Sequence, residues 1–248
     1  MADAKREVLE PSATLKLAPP LHGPIPPEAQ VWVYRYTHAT RGWRFSIATL
    51  GEPQSQKLSL GGFRIVPEAR AALPGFDTDR EAIGLALGME EKVYWSRILK
   101  VGGTLAQRNL ARIVGGKCVL LPSKGSRIGE PLDRELLDFA LECFHDMENC
   151  SGVNLVTGQD LGHGMLSDGL TSSLQYLNAR FKGAITADTS RPTGEGNYYF
   201  LLGALRAFAV PVKASVLALI GVGNIGDHLL YRLQQHGAKL LLLEARDD

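Results

Sequence analysis

The sequence predicts an α/β fold, on three observations. Trp43, Phe45 and Ile47 alternate with Arg44, Ser46 and Ala48, the period-two pattern of a strand with one buried face. Leu136, Leu137, Ala140, Phe144 and Met147 fall on one stripe of a helix over Asp133 to Met147. Near the C-terminus an apolar run, Ser215 to Ile220, leads through a glycine-rich turn and an amphipathic segment to a second apolar run, Lys239 to Leu243. That order, strand then helix then strand, is the unit of a parallel sheet.

Composition excludes several functions. At 248 residues, 45% hydrophobic and 21% charged, the chain is long enough for one large domain or two small ones and too apolar to be disordered. Lys and Arg total 27 against 26 Asp and Glu, a net charge of +1, which leaves no surplus of cations for wrapping nucleic acid. No apolar run reaches the length of a bilayer-spanning helix, so no membrane role is expected. Met1 to Pro11 carries five charges and no apolar core, so the expectation is a cytoplasmic protein without a secretory signal. Cys118, Cys143 and Cys150 contain no CxxC pair, which argues against a disulfide scaffold or a zinc ribbon.

Along the chain, residues 1–30 read as a loose, extended arm, because Pro19, Pro20, Pro24, Pro26 and Pro27 deny it helix and ladder hydrogen bonds. Val31 to Tyr36 reads as a strand, Thr37 to Gly42 as a turn, and a third strand is expected around Leu58 to Val66. Thr78, with Glu81 three residues on, has the form of a capping box and opens a helix through Ile83 and Leu87 to Met89 or beyond. Val114 to Leu121 reads as a strand interrupted by Gly115 and Gly116, Val153 to Val156 as a short strand, and Gly196 to Phe208 as a helix. The elements divide into a mixed α/β domain over 31–190, a connecting helix and linker over 191–214, and a last segment over 215–248.

That last segment carries a nucleotide signature. Gly221, Gly223 and Gly226 form G-x-G-x-x-G between strand and helix, Ile225, Leu229 and Leu233 share one helix face, and Gly237 is placed to end it. The second strand ends at Glu244, 18 positions after Gly226, close to the spacing of the dinucleotide fingerprint. Gly221 permits the tight turn, Gly223 leaves room for a pyrophosphate, and Gly226 lets helix and strand pack closely. With Asn224 and Ile225 they present helix N-terminal N–H groups to phosphates. A carboxylate at Glu244 accepts from ribose hydroxyls and repels a 2′-phosphate, which favours NAD over NADP; Arg246 weakens that preference. The alternative is a glycine-rich turn with no ligand. On the first reading, 215–248 is an incomplete Rossmann segment.

Upstream lies an ordered series of motifs: Leu60-Gly61-Gly62-Phe63-Arg64, Gly88-Met89-Glu90-Glu91-Lys92, Gly115-Gly116-Lys117, Thr157-Gly158-Gln159-Asp160-Leu161-Gly162 and Pro192-Thr193. With the glycine motif, their order resembles the Glu/Leu/Phe/Val amino-acid dehydrogenases, most of all the leucine/phenylalanine/valine branch, from near Val31 to the C-terminus. The resemblance implies a substrate-binding and dimerisation domain over 31–190, a homo-oligomer, NAD as cofactor, and oxidative deamination of a branched-chain or aromatic L-amino acid to a 2-oxo acid and ammonium. It implies that Lys92 binds the substrate carboxylate, that Gly61 and Gly62 border the substrate, that Lys117 polarises the reacting centre, that Asp160 shuttles protons, and that Thr193 contacts substrate or cofactor. Gly115 and Gly116 would remove side chains where the substrate comes close. Lys117 also stands out by itself, since an unpaired ammonium in an apolar strand is costly. Asp160 has a plainer alternative as an Asx turn. His145 and His163 have no second ligand at metal-binding spacing, and Cys118 reads as a core residue.

Two departures from the family qualify these expectations. Lys92 and Lys117 stand 25 positions apart, whereas the family's lysines are much closer, so Tyr94 to Arg112 reads as an insertion beside the pocket. The chain ends four residues after Glu244, with one β-α-β unit to cover two strands that are apolar on both faces. The expectation is a C-terminally truncated chain whose exposed sheet aggregates or recruits a partner. The second reading is therefore an inactive homologue acting as an assembly or amino-acid-binding module. A Rossmann protein of another dehydrogenase class would leave the upstream motif order unexplained.

Overall fold

Residues 4–17, 30–101, 103–185 and 188–244 are described by a computed structural model. The chain is mixed α/β and divides after Thr186 into two units. The first contains β1 (Ala4–Leu9), α1 (Pro11–Thr14), β2 (Trp32–His38), β3 (Arg44–Thr49), β4 (Leu58–Ile65), α2 (Glu68–Ala71), α3 (Thr78–Ile98), α4 (Gly103–Leu110), β5 (Ile113–Leu121), α5 (Asp133–Ser151), β6 (Asn154–Gln159) and α6 (Ser173–Asn178). Its sheet has the order β1-β2-β3-β5-β4-β6. The pairs from β1 to β3, and β3 with β5, are antiparallel, while β4 is parallel to both β5 and β6. Parallel neighbours need crossovers, and these place α3 on one face and α5 on the other.

Each helix closes its own core. Ala82, Ile83 and Ala86 of α3 pack with Val33, Ala48, Val66 and Val119. Leu136, Leu137, Phe144 and Met147 of α5 pack with Phe45, Ile47, Phe63 and Leu120. The Phe63 and Phe144 rings meet edge to face at 5.2 Å, and Phe144 stacks on Phe181 at 5.0 Å.

Several expectations change. The sheet is buried on both faces: Ser46 and Ala48 of β3 are as buried as Phe45 and Ile47, and Ser46 Oγ donates to the buried Asp79 at 2.6 Å. The first residues are not an arm, because Ala4–Leu9 pairs along β2; the prolines of the expected arm lie outside the described residues. Asp77 caps α3, accepting from Arg80 N at 2.9 Å, and Glu81 turns instead to Arg64 and Arg70. β5 runs through Gly115 and Gly116 without a break. α5 continues to Ser151 and ends at Gly152, whose φ of +67° suits a glycine C-cap. The expected insertion is the end of α3 followed by α4, tied down by Arg97 on the Leu110 and Ile113 carbonyls and by Gln107 on those of Ser96 and Val101.

The second unit contains α7 (Ser190–Ala207), a 3₁₀ turn (Val212–Ala214), β7 (Val216–Ile220), α8 (Asn224–Gln235) and β8 (Lys239–Leu243). β7 and β8 pair in parallel. α7 starts six residues earlier than expected, because Pro192 sits in its first turn, where a missing N–H is harmless. It packs on α8 at Gly194, whose missing side chain makes room for His228, so it belongs to this unit and is no free linker. Ile220 is 80% exposed, and Val216, Leu241, Leu242 and Leu243 are exposed as well. Among the described residues no helix is long and apolar enough to cross a membrane.

Candidate active site

Strand alternation sends Cys118 and Leu120 of β5 into the aromatic core and Lys117 and Val119 to the α3 face. Lys117 is 8% exposed. A charge so buried needs a partner, and Asp160, just past the end of β6, forms an ion pair with its ammonium. Burial pushes the Cys118 thiol up to about 12, so this neighbour of Lys117 stays neutral, as a core residue should.

Asp160 is held from a second side. Arg64 Nε donates to Asp160 Oδ2 at 3.0 Å and Nη2 to Oδ1 at 3.3 Å, while Nη1 reaches Glu81. Arg70 grips Glu81 from outside, with Nη2–Oε2 at 2.7 Å and Nε–Oε1 at 3.2 Å. The result is a row of alternating charges, Lys117, Asp160, Arg64, Glu81 and Arg70. Burial raises the Asp160 pKa, but hydrogen bonds from Arg64 and Lys117 outweigh it, and the carboxyl lies below its ordinary value.

The loop after β6 is locked. Ile65 N donates to the Leu161 carbonyl at 3.0 Å. Gly162 has φ +82° and lies so close to the Ile65 carbonyl that no Cβ fits. His163 Nε2 lies 2.7 Å from the Phe63 carbonyl, which only accepts, so Nε2 carries the proton and Nδ1 accepts from Ser173 Oγ at 3.0 Å. Burial lowers the His163 pKa against the opposing pull of the Phe63 carbonyl. Fully buried Asp133, accepting from Ser167 N at 2.6 Å, ties the same loop to the start of α5.

The glycines divide by role. A Cβ on Gly62 would lie 2.8 Å from Lys117 Nζ and 3.1 Å from Asp160 Cβ, so glycine lets the ammonium lie over the β4 backbone. Gly61 serves packing, since its Cβ would strike the Gly116 carbonyl. Gly115 lies against the backbone of α3 at Ala86 and Glu90, and its N–H donates to the Glu90 carboxylate at 2.5 Å. Gly116 makes room for the Ser59 hydroxyl. Gly115 and Gly116 therefore admit a helix and a neighbouring strand, not a substrate, which corrects the expectation for them.

Lys92 is exposed and forms no hydrogen bond or ion pair among the described residues. It lies about three turns beyond Glu81, on the same flank of α3. Thr193 lies in the first turn of α7, its Oγ1 donating to the Thr189 carbonyl at 2.7 Å.

In the second unit, Gly221 has φ +81°, and Gly226 approaches the Gly221 carbonyl so closely that a Cβ would clash. Gly223 is the N-cap of α8 and provides no side-chain cap; a Cβ there would meet no atom within 4 Å. The N–H groups of Asn224, Ile225 and Gly226 belong to the first turn and have no partner within the helix. This loop fits the phosphates of a dinucleotide. Glu244 closes it from the end of β8, accepting from Val222 N at 2.6 Å.

Arg64, Glu81, Arg70 and Glu90 were not assigned to a site by the sequence. A signal for Arg64 was present: it follows Gly62 by two residues in a strand, so it shares the face of Lys117.

No family model and no curated protein matches the chain. Among solved structures it is similar to glutamate dehydrogenase from Plasmodium falciparum, with a TM-score of 0.54, 16% identity, and coverage of 96% of this chain and 43% of that one. It is also similar to hetero-hexameric glutamate dehydrogenase from Thermus thermophilus in a leucine-bound form, with a TM-score of 0.54, 11% identity, and coverage of 98% and 50%. The fold is shared with amino-acid dehydrogenases. The chain spans about half the length of the solved structures it matches.

Proposed function

We propose that the chain acts in NAD-dependent oxidative deamination of a branched-chain or aromatic L-amino acid to a 2-oxo acid and ammonium. The observation that carries this reading is the buried Lys117–Asp160 ion pair over Gly62, in a fold shared with glutamate dehydrogenases.

Lys117 has three N–H donors, and its pairing with Asp160 leaves others to polarise a carbonyl or carbinolamine oxygen. Asp160, kept ionised, takes protons from the amine and the attacking water. Lys92 is the cation proposed for the substrate carboxylate, Gly62 forms the proposed floor of the site, and Thr193 is a proposed contact of the cofactor within the second unit. A bound nicotinamide supplies the acceptor for the hydride on the α-carbon. Gly221, Gly223, Asn224, Ile225 and Gly226 would hold its phosphates and Glu244 its adenosine ribose, which favours NAD over NADP. A cytoplasmic homo-oligomer belongs to the same proposal.

The test is oxidation of a panel of L-amino acids by the purified chain with NAD or NADP, followed through the reduced nicotinamide. Turnover with apolar amino acids, faster with NAD, is expected. A folded chain that binds amino acids without turnover would favour the second reading, a binding or assembly module. That reading draws support from the exposed apolar strands β7 and β8.

A further inference from the structure

Arg64 has no part in the reaction as outlined, yet each of its guanidinium nitrogens has a carboxylate partner: Nε and Nη2 on Asp160, Nη1 on Glu81. Its side chain is 12% exposed and that of Glu81 9%, so the contact is sheltered from water. The Asp χ2 torsion is broad, and a carboxylate held by one flexible lysine can rotate about its Cβ–Cγ bond. A two-point grip by a planar guanidinium removes that freedom. The two oxygens are also unequal. Oδ2 takes both the Lys117 ammonium and Arg64 Nε, whereas Oδ1 takes only the longer Nη2 contact at 3.3 Å.

Resting on the dehydrogenase reading, we propose that Arg64 is a positioning residue: anchored by Glu81, it fixes the Asp160 carboxylate so that Oδ2 stays on Lys117 and Oδ1 is the oxygen that receives the proton. Glu81 holds the guanidinium, and Arg70 holds Glu81. Arg64 itself touches no substrate. Its loss lets the carboxylate turn and weakens proton transfer more than substrate binding.

The experiment compares Arg64→Gln, Arg64→Lys and Glu81→Gln with wild type in the full chain. Arg64→Gln is expected to lower kcat roughly 10- to 100-fold, the scale on which misplacing a reacting group acts, with the KM for substrate changed less than about threefold. Arg64→Lys restores part of the loss, and Glu81→Gln, which keeps both Asp160 contacts, loses less than Arg64→Gln. The acid limb of the kcat–pH profile moves to higher pH in Arg64→Gln, because a cation that favours the Asp160 anion is gone. A folded Arg64→Gln with wild-type kcat and an unmoved acid limb overturns the proposal, as does a loss confined to KM. Should Arg64→Gln fail to fold, Arg64→Lys and Glu81→Gln decide by the same readings. Carbon-13 NMR titration of Asp160, its signal identified by Asp160→Asn, needs no turnover. If wild type is inactive, the dehydrogenase reading fails, and this titration still decides whether Arg64 governs Asp160: a higher titration midpoint in Arg64→Gln supports the coupling, and an unchanged midpoint overturns it.

Discussion

At the scale of single residues, charge buried with a partner sets both chemistry and stability. Asp160 has a pKa below its ordinary value when folded, so its contribution is complete above the unfolded value of about 3.9 and is lost as pH falls through the folded one. His163 is also lowered, here because burial disfavours the cation. The unfolded chain then binds a proton at about pH 6.5 that the folded chain refuses, so stability declines as pH drops from there towards the folded value. The urea midpoint should therefore fall between about pH 7.5 and pH 5.5 in wild type and fall less in His163→Gln. An equal decline in the variant would remove His163 from the explanation. Lys117 was legible in the sequence because a lysine inside an apolar strand demands a reason. Its partner was legible only as part of a motif, since 43 residues separate Lys117 from Asp160 and only the fold brings them together. Arg64 was overlooked although alternation from Gly62 placed it on the same face.

At the scale of elements, glycines record close approaches of backbone. The sequence read Gly115 and Gly116 as an interruption of β5, a natural inference from strand propensity. The fold instead uses Gly115 to seat α3 directly on the strand, with Glu90 accepting the glycine N–H. Ala82, Ile83 and Ala86 of α3 then form the apolar layer behind the site. Gly115→Ala should destabilise by about 1–3 kcal/mol, because the added carbon meets helix backbone that cannot swing aside. Gly88→Ala, in the same helix, should stabilise by about 0.5–1 kcal/mol, since its Cβ would meet no atom within 4 Å and its backbone is helical. Urea unfolding of the two variants checks both signs. The helix stripe of α5 and the existence of strand β3 were legible because local periodicity dictates them, but the one-sided burial read from the β3 alternation did not hold, since Ser46 and Ala48 face the second core. The pairing of β1 was hidden, because its partner is a strand beyond the prolines and half of its own residues are charged.

At the scale of the whole molecule, the two units differ in how much apolar surface they cover. The first encloses a core on each face of its sheet. The second buries Leu233 and Tyr198 but leaves Ile220, Leu241 and Leu243 more than half exposed. Concentration-dependent self-association should follow, and sedimentation should show it weakened by Ile220→Lys. The β-α-β order of β7, α8 and β8 was legible because the glycine motif announces it. The attachment of α7 to that region was not, because helix–helix contact at Gly194 leaves no local pattern.

Lys117, paired with Asp160 over Gly62, is the proposed reacting centre for an amino acid. Reductive amination tests it most directly. The purified chain would be given ammonium, NADH and a panel of branched-chain and aromatic 2-oxo acids, alongside a folded Lys117→Ala variant, and NADH consumption followed. The account predicts turnover by wild type and its abolition in Lys117→Ala. Equal turnover by both proteins, or none from a folded and soluble wild-type chain, would contradict it.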